Sequence, residues 1–96
     1  MNLLSATRGF AAAAALTKGR VLLNELHDPE AACEAFSWVR THVPQSLLAE
    51  DALALEAVTF SKRGLEEQAR KLATLYLQRY PKGAHAPHMR AVFAPL

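Results

Sequence analysis

Apolar residues recur along this chain at intervals of three and four, the period of a helix face. Between Pro29 and His42, the residues Ala32, Ala35, Phe36 and Val39 fall on one side. Between Leu47 and Lys62 the stripe is Leu53, Ala57 and Phe60, joined by Leu48 and Ala52. From Leu65 to Arg79 it is widest, with Leu65, Ala69, Leu72, Ala73 and Tyr76, continued by Tyr80. A longer first helix is expected from Ser5 to Leu26, carried by Leu16, Val21, Leu22, Leu23 and Leu26. Its unbroken run Ala11 to Ala15 forms helix readily and is thin enough for another helix to come close. A short last helix is expected from Ala86 to about Phe93, opened by Pro87. The pattern predicts an all-α chain of about five helices.

The punctuation between these stripes agrees with them. Asp28 can cap the second helix, Pro29 suits its first position, and Glu30 sits favourably in its first turn. Val43-Pro44 ends it, because a residue before proline avoids the helical region. Gly64 is placed to end the third helix and turn the chain, and Pro81-Lys82-Gly83 stops the fourth. Two of these segments match. Ala32 to Pro44 and Ala69 to Pro81 each open on alanine, carry bulky apolar residues and stop at proline, at an offset of 37 residues (44 to 81, 32 to 69). A period in the thirties marks stacked helical hairpins.

The segment from Glu50 to Gly83 resembles a tetratricopeptide (TPR) repeat. It has Phe60 late in its first helix, Gly64 at the turn, Ala69 early in the second helix and Pro81 after it, with Ala57 at the small close-contact position. Small residues there let two helices nest. Glu56 stands where the family has an apolar residue, and Ala73 and Tyr76 invert its large-then-small order. The upstream copy, roughly 13–46, keeps Leu16, Ala32, Phe36 and Pro44, but puts His27 at the turn glycine and Arg20 at the close-contact site. The string from Gln78 to Ala86 is similar to the inter-repeat junction of bacterial envelope-associated TPR proteins. The resemblance implies a single domain over 1–96, with repeats at about 13–46 and 50–83 and a truncated capping helix at 86–94, stacked as a short α-solenoid of antiparallel hairpins. It also implies a scaffold that holds a peptide or protein face in a concave groove.

Composition adds limits. Ninety-six residues make room for one modest core, and a fifth of them are charged, as in ordinary globular chains. The net charge of +2 does not argue for nucleic acid, but its distribution is uneven. Seven of eight charges between Asn24 and Glu56 are acidic, and seven of nine between Lys62 and Arg90 are basic. The basic set Arg70, Lys71, Arg79, Lys82 and Arg90 could in principle hold a phosphate backbone, although Tyr76 and Tyr80 among them lie on the expected buried stripe. No stretch is long enough to span a membrane. Arg8 interrupts the apolar opening, which makes it a poor signal peptide; the location is left open between cytoplasm and periplasm, since a trimmed fragment of a longer chain would read the same.

The chemistry-bearing residues do not assemble into a reaction centre. Cys33 and His42 stand about 13 Å apart along one helix and cannot touch. His85 and His88 have a spacing that can serve a metal, but no carboxylate or cysteine accompanies them in sequence. No phosphate-binding loop or nucleophile elbow occurs. The expectation is a non-enzymatic module with no cofactor, no metal and no small-molecule substrate, binding a protein or peptide partner. Its candidate surface is Trp38, which lies off the stripe of its helix, together with Glu50, Ala54, Val58 and Ser61, expected as an exposed line on the third helix. The alternative is a self-associating assembly domain, closed through Leu3, Leu4 and Phe10 at one end and Val92, Phe93 and Leu96 at the other. A basic-face nucleic-acid module is the least favoured reading.

Overall fold

The computed structural model describes the backbone of residues 3–93 and the side chains of residues 7–93. Five helices follow one another: α1 (Leu3–Asn24), α2 (Pro29–His42), α3 (Leu48–Lys62), α4 (Glu66–Arg79) and α5 (Ala86–Phe93). Among the described residues there is no strand. Each helix packs on its neighbours in sequence, and α1 also touches α3. Residues 94–96, with the end of the expected cap and Leu96, lie outside the described residues, as do the side chains of Leu3 and Leu4.

Local chemistry explains the boundaries. The Asp28 carboxylate accepts the Ala31 N–H at 3.1 Å, which satisfies a donor that the first turn of α2 leaves free. The C-terminal end of α3 closes with Gly64 N–H donating to the Ser61 carbonyl (2.9 Å) and Leu65 N–H to that of Phe60 (3.0 Å). Gly64 takes φ +79°, a left-handed conformation that costs glycine little. His27 takes the same role before α2, at φ 52°, where a side chain carries strain.

Two apolar clusters form the interior, and α3 feeds both. Leu16 and Ala12 of α1 meet Ala32, Phe36 and Val39 of α2, with Val43 and with Ala52 of α3. Leu53, Ala54 and Ala57 of α3 meet Ala69, Ala73 and Tyr76 of α4 and Ala86, Met89 and Phe93 of α5. Phe93 is buried, so it is not part of an exposed apolar end. Phe10 and Val92 are exposed, at 78% and 53%.

The close contact between α1 and α2 falls one residue earlier than the sequence pattern places it. Gly19, not Arg20, faces the Phe36 ring, and a Cβ there would overlap the ring edge. The cause is the connection: four residues (25–28) link α1 to α2, whereas three (63–65) link α3 to α4. The extra residue shifts α1 by one position relative to the offset that aligns the later helices.

Two substitutions check this account. Gly19→Ala is expected to cost about 1–3 kcal/mol, the range for forcing an extra carbon into a packed core. His27→Gly is expected to raise the urea midpoint by the equivalent of about 0.5–1 kcal/mol, because relieved left-handed strain exceeds glycine's added chain entropy.

Candidate functional site

Trp38 stands on the crest of α2. Ala35, Phe36 and Val39 beside it are buried, and the helical turn carries Trp38 outward to 37% exposure. Its ring stacks on His42, one turn further on, with centroids 4.7 Å apart and planes 14° from parallel. His42 Nδ1 lies 3.1 Å from the Trp38 carbonyl oxygen, and the Thr41 hydroxyl donates to the Ser37 carbonyl at 2.8 Å. The indole is thus an exposed aromatic surface braced by its own helix.

A groove lies on each side of this crest. The first, about 590 Å³, runs between α1 and α2, with alanines from both helices and Lys18, Leu22 and Glu34 along it. The second, about 630 Å³, runs between α2 and α3 and is lined by Cys33, Ser37, Phe60 and Arg63 among others. Its wall holds a two-point ion pair. Arg40 Nε donates to Glu56 Oε1 at 2.7 Å and Nη2 to Oε2 at 3.0 Å, with Nη2 also reaching the Ser37 hydroxyl at 3.2 Å. Glu56 is 3% exposed. Its hydrogen bonds hold the Arg40 guanidinium above its ordinary pKa, against the opposing effect of burial. Burial pushes the Cys33 thiol up, and the nearby Arg63 only partly counters it, so Cys33 is a protonated core residue.

The expected exposed line on α3 is not there. Ala54 is 2% exposed, because it joins the core shared with α4 and α5. Val58 is half-buried against the same core, and the half-buried Ser61 hydroxyl donates to Glu66 Oε1 at 2.7 Å. Glu50 is engaged inside the fold: its Oε2 accepts the Tyr76 hydroxyl at 2.6 Å and the Ala84 N–H at 3.0 Å. The Tyr76 oxygen in turn accepts the His85 N–H at 2.9 Å, and His85 Nε2 lies 2.7 Å from Asp51 Oδ1. A Cβ at Gly83 would overlap the Tyr76 hydroxyl and the Glu50 carboxylate, so a larger residue there would push apart the two groups that hydrogen-bond each other. Burial, then the hydrogen bond to Glu50, pushes the Tyr76 phenol up to about 12.

Of the proposed site residues, the structure leaves Trp38 exposed and draws Glu50 and Ala54 into the fold. Trp38 and α3's Val58 and Ser61 do not line a common groove. Sequence reasoning missed the Arg40–Glu56 pair, the Asp51–His85 pair and the packing of Gly83 against Tyr76 and Glu50, having read that glycine only as part of a helix stop. A carboxylate inside the apolar stripe of α3 was the available signal for the first. The second joins residues 34 apart, and nothing local announces it.

Two outcomes are expected. Glu56→Ala should destabilise the fold by about 1–3 kcal/mol in urea denaturation, since it removes the two-point partner of a part-buried guanidinium. Replacing both partners with Arg40→Met and Glu56→Leu should recover most of that loss. The second outcome concerns alkali. The Tyr76 contribution is fully present below the ordinary tyrosine value of 10.0 and is lost progressively as pH rises from there towards about 12, because the unfolded phenol ionises first. Melting temperature should fall across that window, and Tyr76→Phe should flatten the fall.

Among the described residues, no group of three or more His, Cys, Asp or Glu side chains could hold a metal ion. No helix among them is long and apolar enough to cross a membrane. Against known families, all of residues 1–96 match the one described as "Chemotaxis protein MotC". No curated protein and no solved structure matches the chain. The chain, with five helices among its described residues, belongs to the MotC family of bacterial chemotaxis proteins.

Proposed function

We propose that this chain is a TPR-like scaffold that holds a partner protein within a chemotaxis assembly, with the Trp38 crest of α2 as its anchor. The family description supplies the context. In this reading, two hairpins at about 13–46 and 50–83, with α5 as a cap, stack antiparallel into a short solenoid. The 37-residue offset supports it. So do the left-handed residues before α2 and α4, which keep the same offset (27 to 64).

The observation that carries the reading is Trp38 itself. A large aromatic side chain, exposed, braced by His42 and flanked by two grooves, is the kind of residue that dominates binding energy at interfaces. Val58 and Ser61 are secondary contributors at the half-buried edge of α3. A second reading, self-association, draws on the exposure of Phe10 and Val92 at the two ends.

Affinity capture tests it, with this chain as bait in a lysate of the bacterium that carries it. The expected result is a protein of the motility or chemotaxis apparatus, weakened at least tenfold when Trp38→Ala is the bait. Trp38 lies outside the buried core, so the variant's melting curve should match the parent's. Capture of the same partner undiminished by Trp38→Ala would remove the anchor. Recovery of the bait alone, with mass rising on concentration, would favour self-association.

A further inference from the structure

Helix α1 is apolar around much of its circumference but buried along only one side. Ala12, Leu16 and Gly19 face the interior. Phe10 and Ala14 point away from it and are exposed, and Val21 is 36% exposed. The helix carries no acidic residue. Apolar residues on both sides are the pattern of a helix packed from two directions. The neighbouring α2 shows the same thing: Ala31, Ala35 and Trp38 form a stripe at four- and three-residue spacing, separate from the Ala32, Phe36 and Val39 stripe of the core.

Of these residues Ala14, Ala31, Ala35 and Trp38 line the groove of about 590 Å³ between α1 and α2, whereas Phe10 and Val21 lie outside it. Its floor is alanine, from Ala11 and Ala15 on one helix and Ala31 and Ala35 on the other. Small floor residues let a third backbone come close, and the empty volume calls for bulky side chains from whatever enters. Trp38 forms the wall. The two rims differ in charge: Lys18 stands on the α1 side and Glu34 on the α2 side, both exposed.

We infer that this groove receives an amphipathic α-helix from a partner polypeptide, with a leucine-like stripe seated on the alanine floor. One edge of that helix is acidic and lies along Lys18; the other is basic and lies along Glu34. The occupant is a helix because an extended strand would leave its inward backbone polar groups unpaired against an alanine floor. The inference rests on the interaction-module reading above and adds the surface and the chemistry of its ligand.

The chain's single tryptophan lines this groove and the one between α2 and α3, so its emission reports occupancy of either, and a variant confined to the first tells them apart. The probes are synthetic helical peptides of about 18 residues, about 27 Å long, without tryptophan and with a leucine stripe. One has a glutamate edge and a lysine edge, one has lysine on both edges, and one has glutamate on both. At low ionic strength the mixed-edge peptide should shift Trp38 emission to the blue and bind at least threefold tighter than either uniform peptide. Lys18→Glu makes both rims acidic and should transfer the preference to the lysine-edged peptide. Ala14→Glu, at an exposed position on the groove lip, should weaken every peptide at least tenfold without moving the melting curve.

An absence of any blue shift, or unchanged binding by Ala14→Glu, overturns the inference. So does a blue shift with doubled mass on concentrating the protein alone, which would give the groove to a second copy. A chemotaxis partner captured equally by the parent chain and by Ala14→Glu would leave the module reading standing and remove only the groove.

Discussion

Helix α3 is buried from two sides, and that burial is the constraint on which the rest depends. It lies between the core of α1 and α2 and the core of α4 and α5, and it contributes to both. A helix so placed needs thin residues to let both neighbours approach, and Ala49, Ala52, Ala54 and Ala57 supply them. It also carries carboxylates into partly dry surroundings, where an unpaired charge is costly. Each has a partner. Glu56 is gripped by Arg40 from α2, Glu50 binds Tyr76 of α4 and the backbone before α5, and Asp51 meets His85. The polar groups of α3 therefore set how its neighbours sit, while the alanines set how near they come.

The two ends of the molecule differ in the same terms. At α4 and α5 the chain closes on itself, with Met89 and Phe93 buried and Arg90 donating to the Pro81 carbonyl. At α1 and α2 it does not close: an alanine-floored groove and an exposed tryptophan remain on the face turned away from α3.

Much of the fold was legible in the sequence because helix boundaries are set locally. The Asp28-Pro29 start, the Val43-Pro44 stop and the Gly64 turn act within a few residues, and they lie where the pattern places them. The site was less legible. Trp38 could be singled out because it broke the period of its own helix. Glu50 and Ala54 could not be placed, since their exposure depends on whether α4 and α5 reach that flank of α3. Gly19 was displaced by one position because the two connections differ by one residue, which periodicity does not register until the turn is built.

By itself, then, the sequence determined what neighbours along the chain decide: the helices, their caps and their breaks. The tertiary structure alone decided what distant residues do together. It paired Arg40 with Glu56 across 16 positions and Asp51 with His85 across 34. It set Gly83 hard against the ends of the Tyr76 and Glu50 side chains, and it left alanines of α1 and α2 lining one open groove beside Trp38. The reason is range. Hydrogen bonds that cap a helix close within one turn, whereas the burial of a carboxylate or the opening of a groove depends on which helices arrive beside it.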